Sequence, residues 1–269
     1  MPGATDVQTI SAATVGGPVR RRDDVRRRVL EAGFARIEDL ARDLGVSIMT
    51  VHRDLDALEH EGWLTKIRGG ATANPSALVD VGVRERSSAL AMEKAAMARV
   101  AAELLGPGQT VFIDDSTTAL SLAPHLQDHS PLVVATNFLP VVHELAEVGG
   151  LEIALLGGRY HPRQEACFGL QTVDAIAQLH ADVLFMSTTA VSSGACFHRS
   201  ESTVMVKRAF MAHASRTVLM VDHAKFGRPA PHLLCRVDDF DVVITDDSID
   251  PEDLAELRQH DVEVRVAPA

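Results

Sequence analysis

Three stretches near the start of the chain repeat apolar residues at the spacing of a helix. The first stripe covers residues 25–32, the second covers residues 37–44 and the third covers residues 51–58. Gly45 ends the second stripe, and Ser47 is placed to cap the helix that carries the third. Two short helices joined by a tight turn with a glycine are typical of a helix-turn-helix.

The segment after the third helix alternates apolar and polar residues. Residues 63–68 therefore predict a strand, and Gly69-Gly70 predicts a turn. A small hairpin behind a helix-turn-helix makes a winged helix, which we assign to residues 20–72. Residues 1–19 are small and polar, and we expect a disordered tail there.

The pattern changes beyond this domain. Residues 73–90 lack a clear period and are interpreted as a linker. Residues 91–269 alternate short apolar strands with helical stretches, which predicts a mostly parallel α/β domain. The expected strands are 110–113, 132–135, 151–156, 183–186, 218–221, 242–244 and 262–264. The expected helices are 120–126, 141–148, 170–179, 202–214 and 253–259.

The third helix carries a polar outer face. If Val51, Leu55 and Leu58 point inward, Met49 and Arg53 point outward. A helix-turn-helix places its second helix in the major groove of DNA, where arginine bonds guanine and methionine contacts the thymine methyl. The expected DNA contacts are Ser47, Met49, Thr50, His52 and Arg53 on the helix, with Lys66 and Arg68 on the wing. The alternative for Arg53 is a plain surface ion pair with Asp54 or Asp56.

Charge supports a polyanion partner for the first domain. The net charge is −11, yet residues 20–70 hold 11 basic against 10 acidic side chains. The arginines within residues 20–28 are suited to DNA phosphates. No apolar run is long enough for a membrane span, and neither a signal-peptide pattern nor a CxxC motif occurs, so we expect a cytoplasmic protein.

Four motifs of the first domain carry a family resemblance: residues 46–55, Leu58-Glu59, Gly62-Trp63-Leu64 and Arg68-Gly69-Gly70-Ala71. In this order they resemble the DeoR/GlpR family of bacterial transcriptional regulators. Members of that family usually carry two arginines before the Asp-Leu pair of the third helix. Here the pair is His52-Arg53, and a neutral imidazole supplies no fixed positive charge.

Polar residues follow several predicted strands of the second domain. The run 114–118 opens a helix after the first strand, where hydroxyls and free N–H groups favour an anion. Thr136-Asn137, Gly157-Gly158 and residues 222–225 follow other strands. Ligands bind at this edge in open α/β sheets. Each run alone is as readily a helix cap, a turn or a solvated loop.

The same runs, with Gly169 and Ile244-Thr245-Asp246, occur in the order of the DeoR/GlpR effector domain. The resemblance implies a sugar-phosphate sensor, similar in fold to sugar-phosphate isomerases. It implies that residues 116–118 hold a phosphate and that side chains from later strands line the sugar pocket. The expected ligand-binding residues are Asp114, Ser116, Thr117, Thr118, Asn137, Gly157, Lys207, Asp222 and Lys225. An additional carboxylate, Asp115, would oppose an anion unless it points away.

We therefore expect a sequence-specific repressor of a carbohydrate operon, a dimer or larger homo-oligomer that binds operator DNA and a phosphorylated sugar. No catalytic residue, cofactor or metal is expected. The rival enzyme interpretation is a sugar-phosphate isomerase with a DNA-binding appendage, and it needs a general base such as Asp114, Asp115 or Glu201. A metal sensor would have to use Cys196 and His198.

Overall fold

A computed structural model describes residues 21–22, 24–26, 28–29, 34–60, 64–73 and 82–268. Its chain divides into two compact units, residues 1–80 and 81–269. The predicted tail, residues 1–19, and residues 74–81 of the predicted linker lie outside the described residues.

The first unit is a winged helix. The described residues from 21 to 29 are helical, and they precede β1 (Phe34–Arg36), α1 (Ile37–Leu44), α2 (Ile48–His60), β2 (Leu64–Ile67) and β3 (Gly70–Ala73). The predicted inward stripe of α2 is fully buried, as are Val25 and Val29. Gly45 ends α1 with a φ of 64°, the left-handed conformation that glycine adopts most readily.

The sheet of the wing contains one strand that the sequence pattern did not indicate, β1. This strand has only three residues, which is too short to show a period. The sheet has β3 at its centre, with antiparallel pairing to β1 on one side and to β2 on the other. Gly70 is required at this crossing, because a Cβ atom there would meet the Ala35 carbonyl oxygen at 2.3 Å.

The second unit is built on a seven-stranded parallel sheet with the order β15-β14-β12-β9-β4-β5-β6. These strands are β4 (Thr110–Ile113), β5 (Leu132–Thr136), β6 (Leu151–Leu155), β9 (Val183–Met186), β12 (Thr217–Met220), β14 (Val242–Asp246) and β15 (Glu263–Ala267). Every residue of β9, β12 and β14 is buried, so both faces of the sheet are covered there.

The helices of this unit are α3 (Val83–Ser88), α4 (Ala91–Ala102), α5 (Thr117–Leu120), α6 (Leu139–Leu145), α7 (Leu170–Ala177), α8 (Glu201–Ala212) and α9 (Pro251–Leu257). Short 3-10 helices occur at Ala123–His129, His223–Lys225 and Val237–Asp239. The expected helix 120–126 is thus divided into a short α-helix and a 3-10 segment.

Two small antiparallel sheets complete the second unit. One pairs β7 (Arg159–His161) with β8 (Ala166–Phe168), and the other has the order β10 (Ala190–Ser192), β11 (Ala195–His198), β13 (His232–Arg236). The sequence pattern did not indicate these strands, because each has five residues or fewer. In addition, β13 pairs with β11 from a distant part of the chain.

The linker interpretation of residues 73–90 is wrong at both ends. Ala73 belongs to β3, and Val83–Ser88 forms α3 within the second unit. Burial of Val83 holds α3 in place. A six-residue helix is too short to give a periodic signal, which explains why the sequence pattern missed it.

Candidate functional site

The outer face of α2 carries the predicted DNA contacts. Met49 is 63 % exposed and Ile48, which the sequence analysis did not include, is 50 % exposed. Arg53 is exposed, while Thr50 and His52 are half-buried. Ser47 caps α2, because its Oγ accepts a hydrogen bond from the backbone N–H of Thr50 at 3.2 Å. Large apolar side chains in water at a helix start favour contact with a partner.

Ion pairs around α2 show how the two carboxylates next to Arg53 are held. Asp54 is held by Arg21, whose Nε and Nη2 donate to the two carboxylate oxygens at 2.5 and 3.1 Å. Asp56 pairs with the Lys66 ammonium. Both carboxylates that could have held Arg53 therefore have other partners, and the Arg53 guanidinium faces solvent.

The basic residues of the first unit differ in how they are held. Lys66 contacts α2 twice: its ammonium pairs with Asp56, and its backbone N–H donates to Glu59 Oε1 at 2.8 Å. Arg68 lies exposed at the tip of the wing. Arg21 and Arg28 form ion pairs inside the unit, with Asp54 and Asp43, and their contact with DNA phosphates stays a prediction.

The second site lies where the order of the parallel sheet reverses. The chain runs from β4 to β5 and β6 at one edge, then returns to β9 on the other side of β4. Asp114 follows β4, Ser187 follows β9 and Asp222 follows the next strand, β12. Ligands of open α/β sheets bind at such a switch point, outside the carboxyl ends of the strands.

Asp114 and Lys207 form a buried ion pair at the centre of this edge. Both side chains are at most 2 % exposed. Asp114 also accepts hydrogen bonds from the Ser116 N–H at 3.0 Å, the Ser116 hydroxyl at 2.5 Å and the Ser187 N–H at 3.0 Å. Burial lowers the pKa of Lys207, but Asp114 and Asp115 more than offset it, so this pKa stands above its usual value.

Asp115 turns toward the same lysine. Its Oδ1 lies 3.3 Å from the Lys207 ammonium nitrogen. This contact explains how a second carboxylate fits beside an anion site, because one buried cation faces both negative charges. The geometry makes Lys207 and Asp114 internal partners of each other.

Lys225 joins three segments at the strand ends. Its ammonium donates to Thr118 Oγ1 at 3.0 Å and to Ser187 Oγ at 2.8 Å, and it lies 3.1 Å from Asp222 Oδ2. Burial raises the pKa of Asp222, but Lys225 more than offsets this effect and the pKa stands below its usual value. Asp222 is therefore an ionised partner of Lys225 at neutral pH.

Asn137 and Gly157 lie further along the same edge. Asn137 is fully buried; its Nδ2 donates to the Cys167 carbonyl at 2.9 Å, while its Oδ1 has no hydrogen-bond partner. Gly157 accepts a bond from the Thr172 hydroxyl at 2.9 Å. These contacts connect both residues to β8 and α7 rather than to Lys225.

Two cations that the sequence analysis did not include lie near this edge. The Lys94 ammonium is buried and donates to the carbonyl oxygens of Arg86 and Ala89. Burial, with the charge of Lys225, lowers the pKa of Lys94 to about 8. Arg86 feels the charges of Asp114 and Asp115. The sequence pattern predicted neither α3, which carries Arg86, nor α4, which carries Lys94, so nothing in it pointed to these two residues as site residues.

A surface hollow of about 540 Å³ lies at the opposite, amino ends of β14 and β15. Its lining includes Asp238, Asp239, Asp241, Asp261 and Glu263. So many carboxylates repel an anion, and we place no phosphate there.

Metal binding and membrane spanning would each need a feature that the described residues do not show. Within the described part of the second unit, Cys196 pairs across strands with Cys235, and the His198 Nδ1 accepts a bond from the Ser200 N–H. No group of three or more His, Cys, Asp and Glu side chains among the described residues is arranged to hold a metal ion. No helix in that same part of the chain has both the length and the apolar character to cross a membrane.

Comparison with known proteins decides the family. Residues 21–77 match the DeoR-like helix-turn-helix domain, and residues 90–247 match the DeoR C-terminal sensor domain. The chain belongs to the DeoR family of transcriptional regulators. Both the family resemblance and the α/β fold class expected from the sequence are therefore confirmed. The relatives of this chain include repressors of sugar operons.

Two relatives span nearly the whole chain. The putative aga operon transcriptional repressor of Escherichia coli O157:H7 is 29 % identical over 93 % of this chain and 94 % of its own length. The glycerol-3-phosphate regulon repressor of Escherichia coli K12 is 32 % identical over 84 % and 90 %. A D-ribose-5-phosphate isomerase solved with phospho-erythronic acid aligns with a TM-score of 0.37 and 13 % identity, over 49 % of this chain and 52 % of that one.

Proposed function

We propose that this DeoR-family regulator is a cytoplasmic repressor that binds operator DNA through α2 and the wing. The observation that carries the DNA part is the exposed Arg53, whose neighbouring carboxylates are held by Arg21 and Lys66. An arginine without a protein partner on the outer face of a recognition helix is available to donate two bonds to a guanine. Ser47, Met49, Thr50 and His52 flank it, and Arg68 supplies a phosphate contact.

The second unit senses a phosphorylated sugar or a related metabolite at the carboxyl ends of β4, β9 and β12. Basic side chains crowd that edge, and the relatives include a glycerol-3-phosphate regulon repressor. In this proposal Ser116, Thr117, Thr118 and Lys225 face the phosphate, Asn137, Gly157 and Asp222 border the sugar, and Lys207 with Asp114 holds the loop after β4 in shape. Occupancy shifts the operator affinity through a coupling of about 1–3 kcal/mol.

The chain acts by binding rather than by catalysis in this proposal. A general base needs a free lone pair and a pKa near neutrality. Asp114 accepts from Ser116, Ser187 and Lys207, and Lys225 keeps the pKa of Asp222 below its usual value. Asp114, one of the three candidate bases, is therefore not suited to removing a proton from a sugar carbon, and neither is Asp222.

The function is tested on the full-length chain in two steps. Selection from a random double-stranded DNA pool should yield one enriched sequence with two related half-sites, because a dimer or larger homo-oligomer binds such operators. A thermal-shift screen should then find a phosphorylated sugar that raises the unfolding midpoint while the same sugar without phosphate does not. Enrichment of no sequence would reject the operator proposal. Equal shifts from both sugars would reject the phosphate site.

A further inference from the structure

The guanidinium of Arg86 is a cation without a partner beside the effector site. No hydrogen bond or ion pair engages it within the residues that the structure describes, although the residue is partly buried. Asp115, Asp114 and Glu165 attract it by charge alone, without a hydrogen bond. Burial outweighs their attraction and lowers the pKa of Arg86 below its usual value. Its donors are therefore available to an anion from outside.

The backbone of Arg86 fixes where that guanidinium starts. Its carbonyl oxygen accepts a hydrogen bond from the Lys94 ammonium and another from Thr117 Oγ1, at 3.3 Å. Thr117 begins α5 next to Thr118, which Lys225 contacts. The peptide of Arg86 thus lies against the loop after β4, at the carboxyl edge of the sheet.

The three lysines at this edge are already engaged. Lys207 faces Asp114 and Asp115, and Lys225 faces Asp222. The Lys94 ammonium donates to two carbonyl oxygens. Arg86 differs from these three lysines, because the donors of its guanidinium remain unused among the described residues. A guanidinium also has the planar pair of donors that matches two oxygens of a phosphate.

We propose that Arg86 binds the phosphate of the effector and that α3 is thereby part of the effector site. This inference rests on the proposed function of the second unit. In sequence, α3 comes just after residues 74–81, which connect the two units, so Arg86 lies close along the chain to that connection. The contacts of Lys94 and Thr117 with the Arg86 carbonyl oxygen hold α3 at the effector site.

Arg86→Gln and Arg84→Gln form a matched pair, because Arg84 lies on the same helix but is exposed. The full-length proteins are titrated with inorganic phosphate at constant ionic strength while the unfolding midpoint is followed. Arg86→Gln should need about tenfold or more phosphate for the same rise, the effect expected when a hydrogen bond to a charged group is lost. Arg84→Gln should follow the wild type. The same comparison is made with each sugar phosphate that binds.

The outcomes separate the two proposals. Equal phosphate responses of the wild type and Arg86→Gln would overturn the role of Arg86 and leave the proposed function in place. A wild type that responds neither to inorganic phosphate nor to any sugar phosphate would overturn both. Without ligand, Arg86→Gln should melt no lower than Arg84→Gln, because the removed charge has no partner; a clearly lower midpoint would indicate a structural role instead. Arg86→Lys, which keeps the charge but not the planar fork, should respond in between.

Discussion

Replacing Lys207 by methionine should strongly destabilise the second unit at neutral pH. The lysine is 2 % exposed, and its ammonium faces Asp114 and Asp115, which are also buried. Removing one partner of a buried ion pair typically costs about 3–5 kcal/mol, because the remaining charge has no solvent and no counterion. For a unit of this size, such a loss corresponds to a fall of roughly 6–20 °C in the unfolding midpoint.

Urea unfolding of the full-length protein, followed by circular dichroism at pH 7, measures this cost. The double variant Asp114→Asn/Lys207→Met should recover at least half of the loss, because the central charges are then removed together. A single variant Lys207→Met within about 1 kcal/mol of the wild type would refute the reasoning, because a charge lost at so little cost cannot be compensating buried carboxylates.

Three further predictions concern the other charged residues. Arg53→Ala should weaken specific operator binding by about 1–3 kcal/mol in a fluorescence titration, and Arg42→Ala, whose guanidinium pairs with Asp39, should not; equal losses would remove Arg53 from the base contacts. Arg68→Gln should lower the slope of log affinity against log salt by about 1, and an unchanged slope means that the wing tip touches no phosphate. Lys94→Met should abolish a gain in stability of about 3 kcal/mol between pH 8 and 10.5, because the pKa of Lys94 falls to about 8 on folding and only the charged form is penalised; a wild type without this gain contradicts that assignment.

The sequence by itself determined the winged helix, the parallel sheet and the family. The winged helix followed from apolar spacing, since a helix that packs one face against a core must repeat apolar residues at that period. The stripe of α2 is fully buried as predicted, and β4 and β9 occupy the bounds that their apolar runs indicated. Local chemistry also placed Ser47 as a cap and Gly45 as a helix end.

Only the tertiary structure decided which charged groups meet. Asp114 and Lys207 are 93 positions apart, and no local pattern states that they form a buried pair. The partners of Asp54 and Asp56, which leave Arg53 exposed, likewise come from other elements. The helix that carries Arg86 is too short for a period, and its place at the sheet edge depends on contacts with Lys94 and Thr117. Apolar periodicity is a local property, whereas an ion pair depends on the path of the whole chain, so the sequence could name these side chains but not their partners.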